Sequence, residues 1–263
     1  MSEVYTFERG QAPVLISVPH AGTLIPAAIR AGMSASVDSL PDTDWFVDRL
    51  YDFVSGMGIG MLVGRYSRYV IDLNRSPQGD KLYPGRAETE LCPTTLFDGT
   101  PLYLSAQFPN AGEIAQRRRR YWQPYHDQLR LELDRLRSQH DRVLLWDAHS
   151  IRSQVPRLFD GKLPDLNFGT AGGASCDPGI AAAIYDSARS DGNFSTVCDG
   201  RFQGGYITRH YGAPAAGVHA LQLEIAQSCY LEERQSPPDF DPGRAGPLMN
   251  LLQRLLAVAQ GYV

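Results

Sequence analysis

A chain of 263 residues with 43% hydrophobic and 21% charged residues suits one large α/β unit whose core needs no disulfide support. A formal net charge of −4 gives no electrostatic reason to expect nucleic acid or an anionic membrane as partner, so an anionic ligand would be held by local arginines. The four cysteines, Cys92, Cys176, Cys198 and Cys229, lack C-x-x-C spacing, which argues against a cysteine-rich zinc site or a redox pair.

In chain order, Val14-Leu15-Ile16-Ser17-Val18 reads as a buried strand running into Pro19-His20, and Pro26 to Pro41 reads as loop. Asp42-Thr43 offers a helix N-cap. Phe46, Leu50, Phe53, Val54 and Met57 follow at spacings of 3 and 4, and Gly58 closes the helix. Ile59 to Val63 and Arg68 to Leu73 are predicted as short strands, the second ending at Asn74-Arg75. Ser76 to Asn110, rich in Pro, Gly and Tyr, has no sustained period and reads as a lid or specificity loop.

Asn110 can cap a long helix with Tyr121, Tyr125, Leu129, Leu133 and Leu136 on its apolar face, kinked at Pro124. Arg117 to Arg120 on this helix read mainly as a solvated face. Val143 to Ser150 is the next strand, and Asp177-Pro178 starts a helix through Ala182 and Ile184. Strands at Ser195 to Cys198 and Val218 to Ile225 follow, then a helix from about Pro247 to Ala259. Strands alternating with helices imply a single α/β domain over residues 1–263, a mixed, mostly parallel sheet flanked by helices. The first ten residues carry no basic segment followed by an apolar run, and no stretch approaches the roughly 20 apolar residues of a membrane span. The expectation is a cytoplasmic protein with neither membrane nor nucleic acid as partner.

Ligands of open α/β sheets bind beyond the carboxyl ends of the strands, which is where this chain puts its polar residues. His20 and His149 follow apolar runs in equivalent positions, flanked by small residues that admit a ligand. Asp147 can accept from the second ring nitrogen of a metal-bound histidine. A catalytic zinc site needs a third protein ligand. Asp42 and Asp44 are the candidates, and Asp44 is preferred because Asp42 is the more obvious helix cap. Glu224, the one acid in Ala220-Leu221-Gln222-Leu223-Glu224-Ile225, is either an internal salt-bridge partner or a general base of raised pKa. Arg75 beside Asn74 can grip a carboxylate bidentately, and Arg209 in Gly204-Gly205-Tyr206-Ile207-Thr208-Arg209 can hold a second. His210 and His219 read as structural. Ser150 as nucleophile with His149 as base is disfavoured, because neighbours on a strand face opposite sides and no G-x-S-x-G elbow is present.

Val18-Pro19-His20-Ala21-Gly22, Asp42-Thr43-Asp44-Trp45, Asp72-Leu73-Asn74-Arg75, Asp147-Ala148-His149-Ser150, Gly204-Gly205-Tyr206-Ile207-Thr208-Arg209 and His219-Ala220-Leu221-Gln222-Leu223-Glu224 together resemble the N-formylglutamate amidohydrolase family. The resemblance runs from about residue 13 to 233. It implies a fold related to zinc carboxypeptidases and acylase-type deacylases. It also implies hydrolysis of N-formyl-L-glutamate to glutamate and formate, the last step of one histidine-degradation route. By the same resemblance His20 and His149 look like metal ligands, Glu224 like the catalytic glutamate, and Asn74-Arg75 like a substrate-carboxylate clamp. The wider group carries a glutamate three residues after the first histidine. This chain has Thr23 there, so the acidic ligand must come from elsewhere.

The reading that joins these observations is a hydrolase with Zn2+ or another divalent metal on His20, Asp44 and His149. Glu224 is its base, and Asn74, Arg75 and Arg209 hold a small dicarboxylate. The alternatives are a related deacylase or amidase with another N-acyl substrate, and a binding protein on a degenerate hydrolase scaffold.

Overall fold

The computed structural model describes residues 3–82, 85, 88–105, 107–233 and 237–263. Seven strands among them, β1 (Tyr5–Glu8), β2 (Val14–Val18), β3 (Gly60–Gly64), β4 (Val143–Ile151), β5 (Leu166–Gly169), β6 (Thr196–Cys198) and β7 (Val218–Ala226), form one sheet. Its order is β1-β3-β2-β4-β7-β5-β6. β3, β2, β4 and β7 run parallel, while β1 and β5 pair antiparallel with β3 and β7, giving the expected mixed, mostly parallel sheet. The helices are α1 (Ala27–Arg30), α2 (Val47–Leu50), α3 (Ala111–Arg117), α4 (Gln123–Arg137), α5 (Pro178–Asp191), α6 (Tyr206–Tyr211) and α7 (Pro242–Gln260).

The two-residue period of the strands divides the core into two faces. Val14, Ile16, Val18, Leu144, Trp146, Ala148, Leu221, Leu223 and Ile225 pack with α5 and α7. Leu15, Val143, Leu145 and Ala220 pack instead with Tyr125, Leu129, Leu133 and Leu136 of α4. Continuing along this second face, β4 presents Asp147 and His149, and β7 presents Gln222 and Glu224. His149 lies directly beside Glu224 in the parallel register. The α4 side of the sheet is therefore apolar at the amino ends of the strands and polar at their carboxyl ends, which sets the position of the site.

Three expectations need correction. Arg68 to Leu73 is not a strand but a buried connection, and its polar backbone groups find loop and side-chain partners. Asp72 N donates to Leu91 O at 2.7 Å, and Arg117 Nη1 donates to Val70 O at 3.0 Å. Burial made the run apolar without sheet pairing, since backbone groups need partners but not ladder partners. Asp42-Thr43 caps no helix. The chain turns through Phe46 at φ +57° into the four residues of α2, and a 3-10 segment (Asp52–Met57) ends at Gly58 as predicted. Of the four consecutive arginines, Arg117 is buried against Glu113, Tyr103 and Val70 O rather than solvated, while Arg119 and Arg120 are exposed.

Asn110 Oδ1 caps α3 by accepting from Glu113 N, and Asp177 Oδ1 caps α5 by accepting from Gly179 N and Ile180 N. Pro124 sits near the start of α4, and a π turn over Arg118–Trp122 joins α3 to α4. Such a turn accommodates the missing proline N–H and the register shift it forces. The terminal helix begins at Pro242, earlier than its apolar period indicates, because Asp241 caps it.

Candidate active site

Asp44, His20 and His149 are brought together from three separate elements. His20 lies two residues beyond β2, His149 lies inside β4, and Asp44 lies in the turn before α2, where its N–H donates to His20 O. One ligand atom from each of the three lies within 4.8 Å of the others. Asp44 Oδ2 is 3.0 Å from His149 Nδ1 and 3.7 Å from His20 Nδ1, so the same nitrogen of each ring faces the carboxylate.

The opposite ring edges are held by two further carboxylates. His20 Nε2 is 2.8 Å from Asp72 Oδ1, and His149 Nε2 is 3.1 Å from Asp147 Oδ1. A carboxylate thus stands behind each imidazole, with Asn74 Nδ2 also 2.8 Å from His149 Nε2, and Nδ1 of each ring faces inward, the arrangement that orients metal-binding histidines. Asp44 Oδ1 is buried with no hydrogen-bond partner among the described residues, and its nearest cation, Arg68 Nη1, is 3.6 Å away. Two nitrogens and one carboxylate, one of whose oxygens is buried without a partner among the described residues, fit a divalent cation of the zinc type. Without an ion these groups pair with one another. Burial opposes the charged forms of Asp44 and His149, yet the His149 and His20 contacts hold the Asp44 carboxyl below its usual range. Against the same burial, Asp147 and Asp44 push His149 well above its ordinary pKa.

Asp42, the alternative ligand, is not part of this group. Its Oδ2 accepts from Phe97 N at 2.9 Å, and its side chain lines a neighbouring cavity of about 230 Å³. Thr23 is exposed.

A cavity of about 70 Å³ opens over the cluster, with Glu224, Gln222, Asn74, Arg68, Arg75, Arg201 and Glu88 among its polar lining and Phe97, Ile151, Leu158 and Phe202 as apolar walls. Glu224 is buried beside the cluster, and no ion pair within 4 Å involves its carboxylate among the described residues. Burial, with help from Asp44 and against His149, raises its pKa to about 8.

Asn74 is fixed on every side. Its N–H donates to Asp72 Oδ1 at 2.8 Å, its Oδ1 accepts from Ile207 N at 2.7 Å, and its Nδ2 donates to Asp147 Oδ2 at 3.3 Å. A Cβ at Gly205 would collide with this amide, which explains a glycine at the start of α6. Arg75 is braced by Thr89, with Nε on the carbonyl at 2.9 Å and Nη2 on the hydroxyl at 3.1 Å. That bracing leaves guanidinium N–H groups for the cavity.

Arg209 is not brought to the cavity. It is exposed on α6, and its Nε donates to Gly204 O at 2.9 Å. Arg201 lines the cavity instead, steered by a 2.7 Å bond from its Nε to Leu158 O. Sequence reasoning also passed over Arg68, whose Nη2 lies 2.9 Å from His20 Nδ1 and 3.1 Å from Asp72 Oδ2, and whose Nε has no hydrogen-bond partner among the described residues. One signal was available for it. Arg68 stands four residues before Asp72, but the apolar run that follows it reads as a strand and hides the pair. Ser150 faces away from the cavity, bonded to Tyr230 Oη at 2.7 Å.

The sequence profile of the N-formylglutamate amidohydrolase family matches residues 12–231. Two curated relatives, the N-formylglutamate deformylases of Pseudomonas putida and Pseudomonas aeruginosa, are 49% and 48% identical over 261 residues, spanning 98% of this chain and 97% of theirs. Among solved structures, an N-formylglutamate amidohydrolase from Ralstonia eutropha JMP134 superposes with a TM-score of 0.80 at 23% identity, covering 98% of this chain and 99% of that one. A gene product of Agrobacterium tumefaciens superposes at 0.74 with 17% identity, covering 99% and 95%. At these identities the two structures speak for the fold.

Proposed function

Since the chain belongs to the N-formylglutamate amidohydrolase family, we propose that it hydrolyses N-formyl-L-glutamate to L-glutamate and formate. The observation that carries the reading is the convergence of a two-histidine, one-aspartate cluster, a secluded glutamate and three arginines on one cavity.

Zn2+ or another divalent metal on His20, Asp44 and His149 would polarise the formyl group and acidify the attacking water. Glu224 takes the proton of that water as its oxygen bonds to the formyl carbon. It then returns a proton to the amide nitrogen as the C–N bond breaks, leaving formate and a free amine. Burial raises the pKa of this carboxyl, which makes it a stronger base than an exposed glutamate. Arg68, with an unengaged Nε beside the cluster, stabilises the charge that develops on the formyl oxygen. Arg75 binds one substrate carboxylate, with Asn74 beside it in the cavity lining and its amide held by Ile207, Asp147 and His149. Arg201, rather than Arg209, takes the second, because it lines the cavity. A dicarboxylate thus finds its cations in the site although the whole chain is net acidic.

The same reading extends to metabolism as the sequence resemblance implies, with the reaction closing a histidine-degradation route in the cytoplasm. The decisive test follows glutamate released from N-formyl-L-glutamate by the purified protein, before and after chelation and again after added zinc. Release that chelation abolishes and zinc restores supports the reading. Release indifferent to both removes the metal from it, and no release at all removes the substrate.

A further inference from the structure

Helix α4 and the π turn before it carry two buried side chains that the hydrolytic reading leaves unused. Trp122 Nε1 donates to the Arg75 carbonyl at 3.1 Å, and His126 Nε2 lies 2.8 Å from the Leu73 carbonyl. These carbonyls flank Asn74, so one helix holds the backbone on both sides of the clamp. Trp122 and His126 stand one helical turn apart, and their rings stack with centroids 3.6 Å apart and 19° between planes.

The donors are defined by burial. His126 is fully buried, and desolvation lowers its pKa to about 3, so it is a neutral imidazole with one N–H. Leu73 O can only accept, which places that N–H on Nε2. Nδ1 then accepts from the Tyr211 hydroxyl at 2.9 Å. Trp122 is the last residue of the π turn, which shifts the helical register by one residue, roughly 100° of rotation. The rotation swings the indole N–H toward Arg75 and leaves Tyr125 to bond Ser17 on β2 at 2.8 Å.

We propose that Trp122 and His126 are positioning residues for substrate recognition, fixing the Arg75 and Leu73 carbonyls on either side of Asn74 and thereby the direction in which Arg75 meets a substrate carboxylate. The inference rests on the reading of Arg75 as the carboxylate clamp. Neither ring touches the cavity, so each acts only through the clamp backbone.

The test is a double-mutant cycle with Trp122→Phe and Arg75→Ala on the metal-loaded enzyme, scored by kcat and KM for N-formyl-L-glutamate. Phenylalanine keeps an aromatic stack on His126 and deletes only the donor. Trp122→Phe alone should lower kcat/KM roughly three- to tenfold, the size of one net hydrogen bond, almost wholly through KM. In the Arg75→Ala background the same change should cost less than about twofold, because the group it aims is gone. An equal loss in both backgrounds, or a loss carried by kcat, means that Trp122 supports the scaffold, and the proposal falls while the clamp stands. An unchanged KM in Trp122→Phe beside a large rise in Arg75→Ala also overturns it. If Arg75→Ala itself leaves KM unchanged, the clamp reading fails first and takes this inference with it.

Discussion

Replacing Asp72 with asparagine should weaken the metal site and the fold together. Asp72 is fully buried, and its Oδ1 faces both His20 Nε2 and Asn74 N at 2.8 Å, while Oδ2 accepts from Arg68 Nη2 at 3.1 Å. Burial works against this carboxylate, yet His20, Arg68 and Arg75 hold its pKa well below the usual range. Asparagine keeps an oxygen for His20 and Asn74 but turns an NH2 toward the Arg68 guanidinium, donor against donor. Breaking a buried ion pair costs about 3–5 kcal/mol. Arg68 keeps Asp42 O at 3.2 Å and Asp44 at 3.6 Å, so the lower end applies. About 3 kcal/mol lowers Tm by roughly 6–12 °C in a domain of this size. Loss of the carboxylate behind His20 should weaken metal binding by about 10–100-fold. Calorimetry reads the first number, and competition with a chromophoric chelator reads the second. A metal affinity within about threefold of the parent, with Tm lowered as stated, would show that Asp72 supports the fold without orienting His20. No change in either quantity would refute the reasoning as a whole.

Three further outcomes are expected. Glu224→Gln keeps the shape of the side chain but cannot accept a proton, so bound metal should persist while kcat falls about 10²-fold or more; a kcat near the parent's would make Glu224 structural. Arg201→Ala should lower kcat/KM for N-formyl-L-glutamate by about 30-fold or more and spare an N-formyl amino acid without a side-chain carboxylate, and equal losses on both substrates would deny Arg201 a part in recognition. His126 is more acidic folded, at about 3, than unfolded, near 6.5, so its contribution to stability is complete above pH 6.5 and is lost as pH falls toward 3. Denaturant unfolding of the parent and His126→Gln should therefore converge by about 2 kcal/mol between pH 7.5 and pH 5, and parallel profiles would contradict a neutral buried imidazole.

Where a few neighbouring residues decide the outcome, the sequence reading and the structure agree. Val143 to Ser150 and Val218 to Ile225 are strands because long β-branched and apolar runs can be buried on both faces. Asn110 and Asp177 cap helices because a side-chain oxygen reaches a backbone N–H two or three positions on. The polar ends of these runs also pointed to one cleft, and His20, His149, Glu224, Asn74 and Arg75 all line it. Local pattern failed where burial lacks sheet pairing. The Tyr69 to Leu73 run is as apolar as a strand, but its carbonyls are taken by Arg117 and His126.

What the sequence alone determined was therefore the supply of chemistry and its approximate place, at the carboxyl ends of central strands in an α/β sheet. The local pattern prefers Asp44 to Asp42 on a capping argument that fails, since Asp42 caps no helix. Only the tertiary structure gives the reason that separates them, which is what each meets: His149, 105 positions away, or the Phe97 N–H, 55 away. It alone put Arg201 in the cavity and left Arg209 on the surface. Periodicity and capping act over a few residues and leave their mark in local order. A ligand set or a guanidinium aimed at a cavity depends on distances between remote parts of the chain, and those are set when the two faces of the sheet are packed.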